Sequence, residues 1–503
     1  MATGMTELAA WVASIEDLQR AGAVLQWDQS TLMPPLGAAQ RAEQLATLEQ
    51  IAHERLTSAR TGELLEAAES ELDGTAPDSI AARKVAKTRR NYEKRRRVPA
   101  ELAVARAKAA SQGYEAWVAA RAADDFSMFA PALERNYALT REYIACFDGH
   151  YDDPYDVVLD DFAPSMKTAD AARLLTEMRD QLVPLISELR GREVDVAPLH
   201  VDYPVPGQRR VVAEVLRWMG FDERSWRLDD TIHPFEASFS VTDVRLTTRF
   251  AQEYFPMALY GSMHECGHGL YESGIAPELE RTPLGSIDSS AMHESQSRLW
   301  ENLVGRSRAF SHVLTPLLVS HSGGALDGLT SEAQFRAVNR VQPSPIRVEA
   351  DETTYGVHIV LRFELEQALL AGELDVADLP GVWNERMRSY LGVEVAADSE
   401  GVLQDVHWSE GLVGYFPTYA IGNLIAGQLW GAVHADILDL DDQLAAGELA
   451  GLREWLREKV HRHGSRYSDN ELLEQVVGAP IEVAPFISYL KAKLSDVYGL
   501  ELA

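Results

Sequence analysis

Residues Ile232–His268 read IHPFEASFSVTDVRLTTRFAQEYFPMALYGSMHECGH, and the hydrophobic period changes partway along this stretch. In the first part Phe235, Ala237, Phe239 and Val241 alternate with Glu236, Ser238, Ser240 and Thr242, the period of a half-buried strand. The phase then flips. Val244 and Leu246 become the apolar set, which demands a turn or bulge around Ser240–Thr242. The second strand would present Asp243, Arg245 and Thr247 together on one face. From Phe255 onward the run FPMALYGSM leads into a buried helix that carries the pentapeptide His264–His268. A small sheet followed at once by an apolar helix is predicted here.

Outward from this stretch the recurrent signal is helical. In Ala42–Ala52 the apolar residues Leu45, Leu48, Ile51 and Ala52 fall at three- and four-residue spacing. Pro99 followed by AELAVARAKAA predicts a helix with proline at its first position. Similar patterns recur through 170–190, 295–320, 355–373 and 440–460. The expected fold class is all-α, mostly helical, with one small β-sheet near the metal motif. Residues 1–503 are read as one unit, with a helical part over about 1–200 and a part carrying the metal motif over about 201–503.

The 503 residues carry 77 acidic against 47 basic groups, a net charge of −30, so nucleic acid and anionic membrane are poor partners. The segment Gly411–Val433 has no charged residue and is long enough to span a bilayer. It contains Pro417, Asn423, Gln428 and five glycines, and Glu410 and Asp436 flank it, so a buried soluble segment is predicted. Cys146 and Cys266 are too few for a disulfide framework, and the N-terminus has no basic start before an apolar run. A cytoplasmic protein is expected. Nine Lys or Arg lie within Arg83–Arg97, read as a solvated or groove-facing helix. His461 and His463, flanking Arg462, are read as a positively charged helix C-terminus rather than a second metal site.

Within His264-Glu265-Cys266-Gly267-His268, the two histidines share a helix face and can reach one ion. Glu265 is then placed to act as general base on a metal-activated water. Catalytic zinc needs a third protein ligand and an open position. Glu294, 26 residues after His268, follows the candidate N-caps Ser289 and Ser290 and precedes the apolar Leu299, Trp300, Leu303 and Val304. Glu280 and Glu272 compete with it for the ligand role, and Glu272 shares the helix of His268. Tyr271 and Gly274 occupy the positions where a metzincin needs Gly and His, which removes that subclass. Cys266 points to another helix face and is read as a packed small residue.

The sequence also resembles the carboxypeptidase Taq family of HEXXH metallocarboxypeptidases along nearly its whole length. Six short motifs occur in family order: HPF at His233–Phe235, DVRLT at Asp243–Thr247, HECGH at His264–His268, HESQ at His293–Gln296, IRVEAD at Ile346–Asp351 and GVLQDVHW at Gly401–Trp408. An opening LQWDQSTLMPP at Leu25–Pro35 is similar too. The resemblance implies two helical halves around a deep groove, like neurolysin and angiotensin-converting enzyme. It implies one Zn²⁺ per chain (Co²⁺ able to substitute) with Glu294 as third ligand, and a homodimer that removes single residues from peptides with a free C-terminal carboxylate.

Carboxypeptidase chemistry then asks for further groups. A clamp for the substrate carboxylate is best supplied by arginine. Arg347 is the first candidate, with Asp351 nearby to orient it, and Arg245 the second. His407, Tyr415 and Tyr419 are candidate oxyanion donors, and His233 a candidate lining residue. The rival readings are a dipeptidyl carboxypeptidase or oligopeptidase of the same fold, and a silent peptide-binding protein that would have lost a ligand or the base.

Overall fold

The computed structural model describes residues 3–502. Four helices come first: Gly4–Thr31, Ala38–Thr57, Ala59–Glu71 and Ile80–Arg97. Thr3, Ser58 and Ser79 start three of them by accepting from backbone N–H groups one turn on. Leu8, Val12, Leu64, Leu65, Ala68, Val85 and Tyr92 give these helices a small core of their own. The next helix, Ala100–Ala123, begins one residue after Pro99, so the proline lies just outside its first turn. A single large core then runs from Ala120 to Leu494.

The expected strand pair forms as β2 (Glu236–Ser240) and β3 (Asp243–Thr248), antiparallel, with a turn at Val241 and Thr242 where the phase flips and a register irregularity just before it, between Ser238 and Ser240. A further strand, β1 (Trp226–Asp230), pairs parallel with β3, giving the order β1-β3-β2. Its sequence WRLDD is too short and too charged to announce itself by alternation. Val244 and Leu246 face the core, and the Thr247 hydroxyl bonds both the N–H and the C=O of Phe235.

The sheet lies on the helix Pro256–Gly274, which carries the metal motif. That helix also crosses the helix Ser290–Arg298. The uncharged segment becomes the helix Phe416–Asp436, buried along almost its whole length and packed against Ser290–Arg298, Glu352–Ala371 and Ala484–Tyr498. A helix that is apolar all round belongs in an interior, and here protein surrounds it. Among the described residues, no helix is long and apolar enough to cross a membrane.

The basic helix Ile80–Arg97 is solvated in its last turn, where Arg95, Arg96 and Arg97 are exposed, but not along the rest of its charged face. Lys87 pairs with Asp288 at 2.9 Å, Lys94 with Asp160 and Asp161 at 2.8 and 2.6 Å, and Arg83 with Glu471 at 2.8 Å. The charge run straps the first helices to the body of the protein. The expectation of a charged helix end at 461–463 holds only in part: a short 3-10 turn His461–His463 does end at Gly464, but His461 brings no charge to it. The preceding helix stops at Lys459, and His461 is buried with Nε2 2.9 Å from Gln296 Oε1. Burial pushes its imidazole down to about 3, so it is neutral.

Candidate metal centre

His264 and His268 lie four residues apart on Pro256–Gly274, so both rings project from one face. Ser289 caps the second helix by accepting from Met292 N–H, and Ser289 Oγ donates to Asp469 at 2.7 Å, which fixes where that helix begins. One turn further on, Glu294 Oε2 lies 3.7 Å from Nε2 of His264 and 3.7 Å from Nε2 of His268. The three ligand atoms fall within 4.8 Å of one another, a spacing that can hold a metal ion. The competing carboxylates lie elsewhere. Glu272 Oε1 is 3.8 Å from His293 Nε2, and Glu280 Oε1 accepts from Val241 N–H at 2.9 Å.

A second layer fixes these ligands. His264 Nδ1 lies 2.9 Å from Glu301 Oε2, which leaves Nε2 directed at the cluster. Arg298 Nε donates to Glu294 Oε1 at 2.7 Å, and Arg306 Nη2 donates to Glu301 Oε1 at 2.9 Å. Glu301 sits in a π-helical turn, Leu299–Val304, that continues the Ser290–Arg298 helix. Such wide turns re-aim side chains and recur at functional sites. His293 stacks on His268 with ring centroids 4.0 Å apart. Glu265 is 8% exposed, and burial pushes its carboxyl up to about 7 against the pull of His264. Cys266 is fully buried and free, as expected of a packing residue.

The candidate substrate groups divide. Arg347 is buried and directs Nε and Nη2 at Asp405 Oδ1, at 3.0 and 2.7 Å, and Nη1 at the Tyr355 hydroxyl at 2.8 Å. Asp351 does not orient it. That carboxylate caps the helix Glu352–Ala371 through the N–H groups of Thr353 and Thr354, because a capping acid is taken by the nearest free backbone donors. The orienting acid is Asp405, which also receives Arg362. His407 Nε2 lies 3.3 Å from the Tyr419 hydroxyl, and the Tyr415 and Tyr419 rings meet at 5.2 Å. The Arg347 guanidinium lies 5.1 Å from the Tyr419 ring, so four of the candidates form one cluster. Arg245 lies apart from it, paired with Asp243 and held between the rings of Trp27 and Phe239. His233 is exposed on the turn before β2.

A model of the carboxypeptidase Taq (M32) metallopeptidase family matches residues 7–494. The chain belongs to this family. Thermostable carboxypeptidase 1 of Thermus thermophilus is 41% identical to it over 488 residues, covering 95% of this chain and 96% of the relative. Carboxypeptidase 1 of Bacillus subtilis is 34% identical, covering 97% of each. Among solved structures, the M32 carboxypeptidase of Deinococcus radiodurans is similar with a TM-score of 0.95 at 38% identity, covering 99% of this chain and all of the other.

Membership makes the chain a metallocarboxypeptidase and implies a divalent metal. The donor set fits one: two imidazoles and a carboxylate suit a borderline cation, and they leave coordination positions open for water and substrate. A cavity of about 350 Å³ opens between Gly4–Thr31 and the end of β2, lined by Glu16, Arg20, Glu272, Glu280 and Arg281 among others. Four groups of this M32 site were not singled out from the sequence. Arg298 and Glu301 follow Glu294 by four and seven residues, a helical spacing that could have revealed them. Asp405 is the only acid in GVLQDVHW. Tyr355 carried no such signal.

Proposed function

We propose that this M32 metallocarboxypeptidase releases single C-terminal residues from peptides, with zinc held by His264, His268 and Glu294, Glu265 as general base and Arg347 as the carboxylate clamp. The observation that carries the reading is continuity. Arg347 bonds Tyr355, the Tyr355 ring carries Arg298 at 4.4 Å, and Arg298 bonds Glu294. A carboxylate-binding arginine thus stands one short chain of contacts from the reacting centre, as removal of a terminal residue requires.

A zinc-class ion at this cluster supplies Lewis-acid polarisation and water activation when bound. Glu265 takes a proton from the attacking water and returns it to the departing amine. Of the five N–H groups of Arg347, three are committed to Asp405 and Tyr355, which leaves two for a substrate carboxylate. Burial pushes Tyr415 up to about 12 and His407 down to about 4, so both are neutral donors near pH 7. Neutral donors aimed into a buried site suit a developing oxyanion. Arg245, paired with Asp243 and held by two rings away from the His407–Tyr419 cluster, is the weaker clamp, and exposed His233 the weakest lining residue.

The whole chain is read as one catalytic unit whose site lies in the part after about residue 200. A cytoplasmic homodimer completes the proposal, supported by the two free cysteines and by the family resemblance. Light scattering of the purified chain checks the dimer.

The test of function is a peptide digest followed by mass spectrometry. Free-acid peptides should lose one residue per event, N-acetylated ones should behave alike, and C-terminally amidated ones should be cut poorly. Arg347→Ala should weaken kcat/KM on free-acid peptides by roughly 2–5 kcal/mol, the range for truncating one buried charged partner. The slow cleavage of amidated peptides should barely change in the same variant. Release of dipeptides, or equal cleavage of amidated peptides by the parent, would replace this reading with a dipeptidyl carboxypeptidase or an oligopeptidase.

A further inference from the structure

The two oxygens of Glu294 face different partners. Oε2 lies 3.7 Å from each histidine Nε2, whereas Oε1 turns away and accepts from Arg298 Nε at 2.7 Å. Arg298 has little freedom to let go. Its side chain is only 15% exposed, Nη1 lies 3.3 Å from Glu301 Oε2, and the guanidinium rests on the Tyr355 ring. A carboxylate can bind a cation through one oxygen or through both. With two histidines and one carboxylate oxygen, a four-coordinate site keeps a position free. If Oε1 also swung in, a protein atom would fill that position.

We propose that Arg298 is a positioning residue that keeps Glu294 bound to metal through a single oxygen and so holds a coordination position open for the reaction. The charge-assisted N–H···O bond competes for Oε1. Glu301 plays the complementary part for His264, occupying Nδ1 so that only Nε2 would be offered to a bound ion. Both groups arise from the continuous segment that carries Glu294, four and seven residues along, so ligand and restraint move together. The proposal rests on the ligand set given above.

It makes a prediction that a merely structural arginine would not. Arg298→Met removes the donors and keeps the length. The parent and the variant are compared by chelator competition for zinc, by the visible spectrum after cobalt substitution, and by kcat and KM on a free-acid peptide. The variant should bind zinc at least as tightly as the parent. Its cobalt bands should weaken, as they do when coordination number rises. Its kcat should fall roughly 10–100-fold, the usual cost of losing an outer-shell partner. KM should change little, and Arg298→Lys should recover part of kcat. Zinc affinity falling in step with activity would overturn the proposal, as would an unchanged kcat or an unchanged cobalt spectrum. Should Arg298→Met fail to fold, Arg298→Gln, judged by the same three readouts, decides the matter. Failure of the underlying reading looks different: the parent itself would show no chelator-sensitive peptidase activity.

Discussion

Glu265 sits next to a metal-facing histidine with its carboxyl buried, and burial, joined by the Glu294 and Glu301 carboxylates, lifts its proton affinity toward neutrality against the pull of His264. A cation at the adjacent ligands opposes that lift and favours the ionised base. Glu265→Gln keeps the shape and removes the base. Metal content should stay at the parent level while turnover drops by at least about 100-fold, the lower end for a general base. Metal analysis and steady-state kinetics on one preparation check this, and turnover near the parent's would remove Glu265 from the role. At this scale the sequence was legible wherever chemistry is local. Two histidines four apart on a helix declare a shared face, and Ser289 ahead of Glu294 declares a helix start. It was illegible where a partner arrives from elsewhere in the chain. Asp351 lies four residues from Arg347 and Asp405 lies 58 away, yet the distant acid makes the contact. Sequence proximity could not reveal that the near one was already committed to a helix cap.

Between elements, the site depends on how closely three helices approach. A Cβ at Gly267 would lie 2.7 Å from Gln296 O, so the motif helix and the ligand helix cross with no room for a side chain. A Cβ at Gly422, on Phe416–Asp436, would lie 2.9 Å from Glu294 Cβ and 3.0 Å from Ala291 O. Both glycines serve close approach rather than an unusual backbone angle. Gly422→Ala must therefore push the helix bearing Glu294, and overpacking of this kind costs about 1–3 kcal/mol. Zinc affinity should fall as Glu294 shifts, and the melting temperature should drop with it. Gly431→Ala, on the same helix with open space around it, is the control and should leave zinc affinity unchanged and the melting temperature the same or slightly higher. Equal metal affinity in the two variants would mean that Glu294 is not positioned through this contact. The elements themselves were read unevenly. The alternation of 235–241 and the phase flip foretold β2, β3 and the turn at 241–242 that joins them. Neither β1 nor the π-helical turn was foreseeable, since one is a charged pentapeptide held by its parallel partner and the other is set by packing around Glu301.

At the scale of the whole molecule, the first four helices own a separate small core and meet the rest of the protein through several ion pairs as well as apolar packing at Ile80. Asp160 is the most heavily used of the acids that receive them. It accepts from Arg90 Nη2 at 2.7 Å, Lys94 Nζ at 2.8 Å, the Tyr151 hydroxyl at 2.9 Å and Ser165 N–H at 3.1 Å. Burial alone would raise its carboxyl, but Lys94 and Arg90 outweigh burial and hold it down to about 2. A carboxylate with a lower pKa when folded adds stability at every pH above its unfolded value of about 3.9. That contribution fades as the pH falls from there through about 2. A full shift of this size corresponds to about 2.6 kcal/mol. Arg90 is 36% exposed, so solvent screening reduces the figure to about 2 kcal/mol. Asp160→Asn should accordingly lower stability by about 2 kcal/mol at pH 7 in denaturant melts, with the partnered Arg90 and Lys94 left uncompensated. The gap between parent and variant should stay constant from pH 7 to about 5 and begin to close below about 4, because protonation then removes in the parent what the substitution removed in the variant. A gap that stays the same at pH 3.5 as at pH 7 would assign the loss to packing. If no gap appears at any pH, the ion pairs do not hold the first helices in place, and their docking must come from uncharged contacts such as Ile80 against the cluster of Ile275, Leu279 and Leu284.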